Sequence, residues 1–170
     1  MIAFAPLTPW TVDVRRQVFD VAADMADMDA LEIFGLRQRG DGPEDIVADI
    51  ARIIIDQRMI DGMIALRQID GQTVPVAVAL AFQSSLPNVA DLAMFGRKNH
   101  ARAMPAIYRE LFTRSLTFGA RYRIAMAQVP VLGVHRAARR ILRSLGGQEA
   151  FNYGPIGLYQ QPYIHTIWRF

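Results

Sequence analysis

The chain has 170 residues, 52% of them hydrophobic, which is enough for one domain with a buried core and too apolar for a disordered segment. It has no cysteine, which excludes disulfides and thiolate metal sites, and its three histidines, His100, His135 and His165, lack metal-ligand spacing. Formal net charge is only +3, so composition alone does not point to nucleic acid; Lys98 is the sole lysine, a bias that a GC-rich genome produces by favouring arginine codons.

The first strand is expected over Ile2 to Ala5, and Thr8-Pro9 offers an N-cap and a first-turn proline for a helix that carries Val14, Val18, Ala22 and Met25 on one face. A second short helix is expected from Asp29 to Arg39, stopped by Gly40. A third starts at Asp41-Gly42-Pro43, with Ile46, Val47, Ile50 and Ile54 as its apolar face. Met63 to Ile69 and Val74 to Phe82 read as a hairpin around Asp70-Gly71. After a polar loop, Val89 to Phe95 is a third strand of this region. The next helix aligns Met104, Ile107, Leu111 and Phe118, with Pro105 in its first turn and Gly119 as its stop. Tyr122 to Gln128 is expected as a strand, and His135 to Leu145 as a helix closed by Gly146-Gly147. The remainder holds two strands, the last over Ile164 to Phe170. The fold class is α/β (α+β): a mixed, mostly antiparallel sheet of six or seven strands with helices on both faces. Such sheets commonly bind ligands where two strands splay apart near a helix N-terminus.

Apolar runs are broken by charge or proline well short of a membrane-spanning length. The N-terminus has no basic stretch ahead of an apolar one, so a signal peptide is not expected and a soluble, intracellular product is. No P-loop, Rossmann, zinc or nucleophile-elbow pattern occurs. Arg97, Lys98, His100 and Arg102 form a cationic loop ahead of a helix, able to hold an anion by side chains or to stay solvated or face an interface. Arg136, Arg139, Arg140 and Arg143 share one helix face opposite Ala138, Ile141, Leu142 and Leu145. That stripe is either an ordinary solvated face or a contact for acidic protein, nucleic acid or a ribose phosphate. Phe151, Tyr153, Tyr159, Tyr163, Trp168 and Phe170 crowd the last segment, where they serve as sheet core or as an interface.

Three segments carry a resemblance. They are Val21 to Ile33, Asp91 to Gly96 with the basic loop after it, and Ala137 to Gly146. Together they resemble the GNAT acetyltransferase superfamily, and within it the GNAT-like proteins of short-tailed bacteriophages that take part in virion assembly and the internal core. Working GNAT enzymes carry a motif Arg/Gln-x-x-Gly-x-Gly/Ala whose glycines let main-chain N–H groups reach the pyrophosphate of coenzyme A. With its arginine on Arg97, the glycines fall on His100 and Arg102, and no glycine occurs between Arg97 and Phe118. The family's helix asparagine and tyrosine acid fall on His135 and Leu142.

The resemblance therefore implies a virion-associated structural or assembly protein with weak or absent catalysis. It would act through other virion proteins or copies of itself, in the virion or host cytoplasm, with no cofactor and no membrane. The alternative is an acetyl-CoA-dependent N-acetyltransferase. Asp91 and His135 are then the candidate catalytic groups, and Arg97, Lys98, His100 and Arg102 the cofactor contacts. A nucleic-acid contact protein acting through the arginine stripe is a third reading.

Overall fold

The computed structural model describes residues 1–36, 42–98, 100–156 and 160–170. In chain order the elements are β1 (Ile2–Pro6), α1 (Val12–Ala23), α2 (Asp27–Gly35), α3 (Pro43–Ile55), β2 (Met59–Ile69), β3 (Gln72–Gln83) and β4 (Val89–Gly96). They continue as α4 (Met104–Tyr122), β5 (Met126–Leu132), α5 (Arg136–Ser144), β6 (Gln148–Ile156) and β7 (Gln161–Arg169). The strands form one seven-stranded sheet in the order β1-β2-β3-β4-β5-β7-β6. This is the mixed, mostly antiparallel sheet expected from the sequence.

Every neighbouring pair is antiparallel except β4 and β5, which α4 joins by a crossover. Their pairing is short. Val89, Ala90 and Asp91 face Met126, Ala127 and Gln128, and there the register ends although β4 runs on to Gly96 and β5 to Leu132. The strands separate beyond Asp91, leaving a slot in the middle of the sheet.

Alternation along the strands sends side chains to two cores. Ile64, Val78, Leu80 and Phe95 face α1 and α3, where Val18, Val21, Ile46 and Ile50 meet them. Met63, Ala77 and Ala79 face Ala103 and Ile107 at the start of α4. Ala127, Val129, Val131 and Trp168 pack with Phe118 of α4 and with Ala138 and Leu142 of α5. Helices thus cover both faces, and α4 and α5 flank the slot on one of them.

Several boundaries differ from the sequence reading. Thr11, not Thr8, caps α1, its hydroxyl accepting the Val14 N–H at 3.2 Å; Thr8 precedes a cis peptide to Pro9 outside the helix. Gly119 does not stop α4. The helix runs to Tyr122 and closes on Arg123, whose φ of 56° is left-handed and whose N–H reaches Gly119 O. Gly119 is needed for close packing instead, since a Cβ there would fall 2.3 Å from Phe170 Cβ. The strand expected over Tyr122 to Gln128 accordingly begins at Met126. The expected stop at Gly40, the end of the second helix through Arg39 and the start at Asp41 lie outside the described residues. Among the described residues no helix is long and apolar enough to cross a membrane, and no group of three or more ligand side chains could hold a metal ion.

Candidate active site

Separating two strands costs hydrogen bonds, and α2 replaces them. Asp29 Oδ2 accepts the N–H of Gly96, at the end of β4, at 2.8 Å. Glu32 Oε2 accepts the N–H of Leu132, at the end of β5, at 2.9 Å. Their i, i+3 spacing puts both carboxylates on one face of α2, and both residues are buried, at 7% and 9% exposure. Two histidines lie against them. His135 places Nδ1 3.2 Å from Glu32 Oε2 and Nε2 3.9 Å from Asp29 Oδ1. His100 Nε2 lies 4.0 Å from Asp29 Oδ2, while its Nδ1 donates to Arg97 O at 2.6 Å. Burial pushes the Asp29 carboxyl up, against the pull of the Gly96 N–H and of both histidines. The hydrogen bond to Glu32 holds His135 above the ordinary histidine value, against its partial burial. Tyr163, fully buried on β7, donates its hydroxyl to Glu32 O at 3.1 Å and so fixes α2 against the sheet.

Cavities open on both faces of the slot. On the α4–α5 face a cavity of about 180 Å³ is lined mainly by apolar groups, with Ala81, Ala127 and Ala138 contributing only methyl groups. Asp29, Glu32, His135 and the ion pair Arg114–Asp61, at 2.9 Å, are the charged groups around it. On the opposite face a cavity of about 470 Å³ lies between α2 and β4, β5 and β6. Ile33, Leu36 and Phe82 form its apolar wall, and Asp91, Gln128, Tyr153 and His165 its polar one. Glu32, Leu92, Ala93, Met94 and Val129 line both cavities, so the two meet at the slot.

Four polar groups of the larger cavity are linked. Gln128 Nε2 donates to Asp91 Oδ1 at 2.7 Å, Gln128 Oε1 lies 3.1 Å from His165 Nε2, and His165 Nδ1 is hydrogen-bonded to the Tyr153 hydroxyl. Burial lowers His165 below the ordinary histidine value, partly offset by the charge of Asp91.

The sequence candidates are distributed differently from their spacing. Asp91 faces the larger cavity rather than solvent, and His135 turns its ring to Glu32 instead of capping α5. The cationic loop is not a single cluster. Arg97 is committed to Asp24, Nε to Oδ2 at 2.9 Å, and His100 turns inward so closely that a Cβ on Gly96 would fall 2.5 Å from its ring. Lys98, paired loosely with Asp27 at 3.9 Å, and Arg102 stay exposed. The arginine stripe is half occupied. Arg139 and Arg143 both grip Glu149, at 2.7 Å each, and hold its carboxyl down to about 2. Arg136 and Arg140 are exposed, without an ion pair among the described residues. Of the terminal aromatics, Tyr163 and Trp168 are core, Phe151, Tyr153 and Phe170 are exposed, and Tyr159 lies outside the described residues. Asp29, Glu32, Gln128, Tyr153 and His165 were not foreseen as site residues; the one local signal was a pair of acids at helical spacing facing an apolar sheet.

No protein-family model matches the chain, and no curated protein matches it. Solved structures do. A ribosomal-protein-alanine N-acetyltransferase from Brucella melitensis superposes with a TM-score of 0.67 at 13% identity, over 100% of this chain and 99% of that one. An acetyltransferase of the GNAT family from Bacillus anthracis gives 0.64 at 8% identity, over 99% and 94%. The fold is GNAT. A third structure, spermidine N-acetyltransferase from Vibrio cholerae in complex with CoA and spermine, gives 0.67 at 9% identity, over 99% and 95%. These structures correct the expectation of a virion-associated structural protein. Their names are those of N-acetyltransferases, and nothing among them ties the chain to a bacteriophage. That expectation took the missing glycines for a lost pocket. The slot and its cavities are formed by strand separation and small side chains, neither of which depends on the glycines.

Proposed function

We propose that the chain is an acetyl-CoA-dependent N-acetyltransferase. The observation that carries this reading is a pair of cavities on opposite faces of the sheet that share Glu32, Leu92, Ala93, Met94 and Val129. Two substrates approaching from opposite faces of one slot can meet without competing for the same opening.

The residues present fit the cofactor in two parts. The smaller cavity is narrow and apolar, and the methyl groups of Ala81, Ala127 and Ala138 leave space that a larger side chain would fill, which suits the pantetheine arm. For the phosphates, Lys98 and Arg102 are exposed ahead of α4, and Arg136 and Arg140 are exposed on α5. Guanidinium and ammonium groups bind phosphate by charge-assisted hydrogen bonds without needing main-chain glycines. Bound acetyl-CoA supplies a thioester-activated acetyl group. On the chain's side, His135 lines this cavity, and Glu32 keeps it more protonated than a free histidine, so it has a proton to give a departing thiolate. It takes the role that Leu142 cannot fill.

Calorimetry with acetyl-CoA tests the reading. Saturable binding is expected, weakened about tenfold or more, at least 1.4 kcal/mol, by Ala138→Phe, which fills the cavity from α5. Arg102→Ala is expected to weaken it as well, and more at low salt. Absence of binding at about 1 mM ligand, a ceiling near −4 kcal/mol, would overturn the proposal, as would binding indifferent to Ala138→Phe.

A further inference from the structure

Asp91, Gln128, His165 and Tyr153 come from β4, β5, β7 and β6, and all four line the larger cavity. Every hydrogen along this chain follows from its first member. A carboxylate only accepts, so Gln128 turns its NH2 to Asp91 and its carbonyl oxygen to His165 Nε2. That oxygen also only accepts, so Nε2 carries the imidazole proton. His165 Nδ1 is then a bare lone pair, Tyr153 donates its hydroxyl to it, and the Tyr153 oxygen keeps its own lone pairs free. The hydrogen bonds all point the same way, from the half-exposed Tyr153 inward to Asp91.

We propose that this chain is the proton path for an amine acceptor, with the Tyr153 oxygen taking a proton from the substrate nitrogen as its hydroxyl passes one to His165 Nδ1. The inference rests on the acetyltransferase reading and names the acceptor side of the same site. An alkylammonium gives one proton to the relay and becomes a free amine with a lone pair. Its nitrogen forms a bond to the acetyl carbon as the carbon–sulfur bond breaks, and the nitrogen's surplus proton ends on the thiolate sulfur. The products are an N-substituted acetamide, a thiol and an imidazolium at His165, which returns its proton to solvent through Tyr153. Gln128 and Asp91 are positioning residues. They fix the tautomer, and Asp91 stabilises the imidazolium through the amide, as the third member of a catalytic triad does.

His165 is suited to the role because burial keeps it neutral at neutral pH. The titratable groups facing this cavity are Asp91 from β4, Glu32 from α2, Tyr153 from β6 and His165 itself from β7; β5 contributes only the neutral Gln128. The Asp91 carboxylate and an apolar wall of Ile33, Leu36, Phe82 and Ile156 describe the acceptor. It is a primary amine on an apolar body, arriving as a cation.

The test has a ligand-free arm and a kinetic arm. Histidine-ring nuclear magnetic resonance of the free protein is expected to show His165 neutral at pH 7 with its proton on Nε2. Asp91→Asn is expected to lower its titration midpoint further. A proton on Nδ1, or a charged ring at pH 7, overturns the relay. With 2-phenylethylamine and hexylamine as acceptors, His165→Gln is expected to lower kcat by about 10²-fold or more. It should leave acetyl-CoA affinity unchanged and abolish the rise of kcat/KM along the His165 titration. Tyr153→Phe, at a half-exposed position, removes only a hydroxyl and is expected to lower kcat while preserving the fold. Full kcat in either variant overturns the relay and leaves the acetyltransferase reading standing. A wild type that binds no acetyl-CoA, or acetylates no amine, overturns both. Preference for spermidine or glycine over the apolar amines overturns the acceptor class.

Discussion

Replacing Glu32 with glutamine separates the two jobs its carboxylate performs. Glutamine keeps the shape and a carbonyl oxygen for the Leu132 N–H, now held at 2.9 Å, so the end of β5 stays tied to α2. The substitution removes the negative charge 3.2 Å from His135 Nδ1. The two side chains are only 16% and 12% exposed, so solvent screens the pair little. A hydrogen bond to a charged group is worth about 1.5–3 kcal/mol, and about 2 kcal/mol is the expected cost near pH 6. The sign follows from His135. Its folded pKa is raised above the ordinary 6.5, so the pair's contribution is fully present below 6.5 and is lost as pH rises through the folded value. Glu32→Gln should therefore destabilise by about 2 kcal/mol near pH 6, or about 4–8 °C in Tm for a chain of this size. The difference should shrink as pH rises through the raised His135 value, and be smaller at about pH 8.5 than near pH 6. Urea denaturation at the two pH values, with equal m for both proteins, measures it. A difference that is constant with pH, or larger at the higher pH, would refute the assignment of His135 as the charged partner.

Gly147→Ala is expected to destabilise by about 1–3 kcal/mol through overpacking. Its Cβ would fall 2.7 Å from both Thr166 Cγ2 and Trp168 Cζ2 and 2.9 Å from Leu142 O, with strand on one side and helix backbone on the other. The same denaturation series checks this, and a neutral result would mean that α5 can lift from the sheet. Glu149→Gln is expected to cost no more than about 1 kcal/mol at pH 7, because one partner, Arg143, is 56% exposed. The Glu149 carboxyl is depressed from 4.5 to about 2, so that small contribution is present above pH 4.5 and lost as pH falls through about 2. Variant and wild type should have equal stability in acid, and at pH 7 high salt should narrow the gap.

Local chemistry was legible in the sequence, and so were most elements. The β2–β3 hairpin was readable from Asp70-Gly71, which do adopt left-handed φ values of 50° and 78°. Gly146, at φ 89°, does end α5 as its position suggested. The inner face of α3 was visible in the spacing of Ile46 and Ile50. What escaped was set by partners distant in the chain. Glu32 and Leu132 are 100 residues apart, and Asp91 and Gln128 are 37 apart. No period or motif encodes such a pairing. The C-terminal boundary of α4 was misplaced because Gly119 serves packing against Phe170, a contact with no local signature. The step from absent loop glycines to a lost pocket does not follow physically. The glycines of the family loop serve phosphates, whereas space for an acyl arm depends on how far β4 and β5 part and on which side chains stay short.

The strand order also dictates when the second half of the sheet can exist. Among the described residues the one strand that β6 pairs with is β7, and β5 has three residue pairs with β4 against seven with β7. The last strand in sequence is thus the keystone between two that precede it. Residues 126–156 precede β7 in the chain, so β5 lacks one of its two strand neighbours and β6 lacks its strand partner until β7 is in place. Deleting β7 would strip β6 of its strand partner and remove His165 and Trp168 together, so a truncated chain would lose structure and chemistry at one stroke.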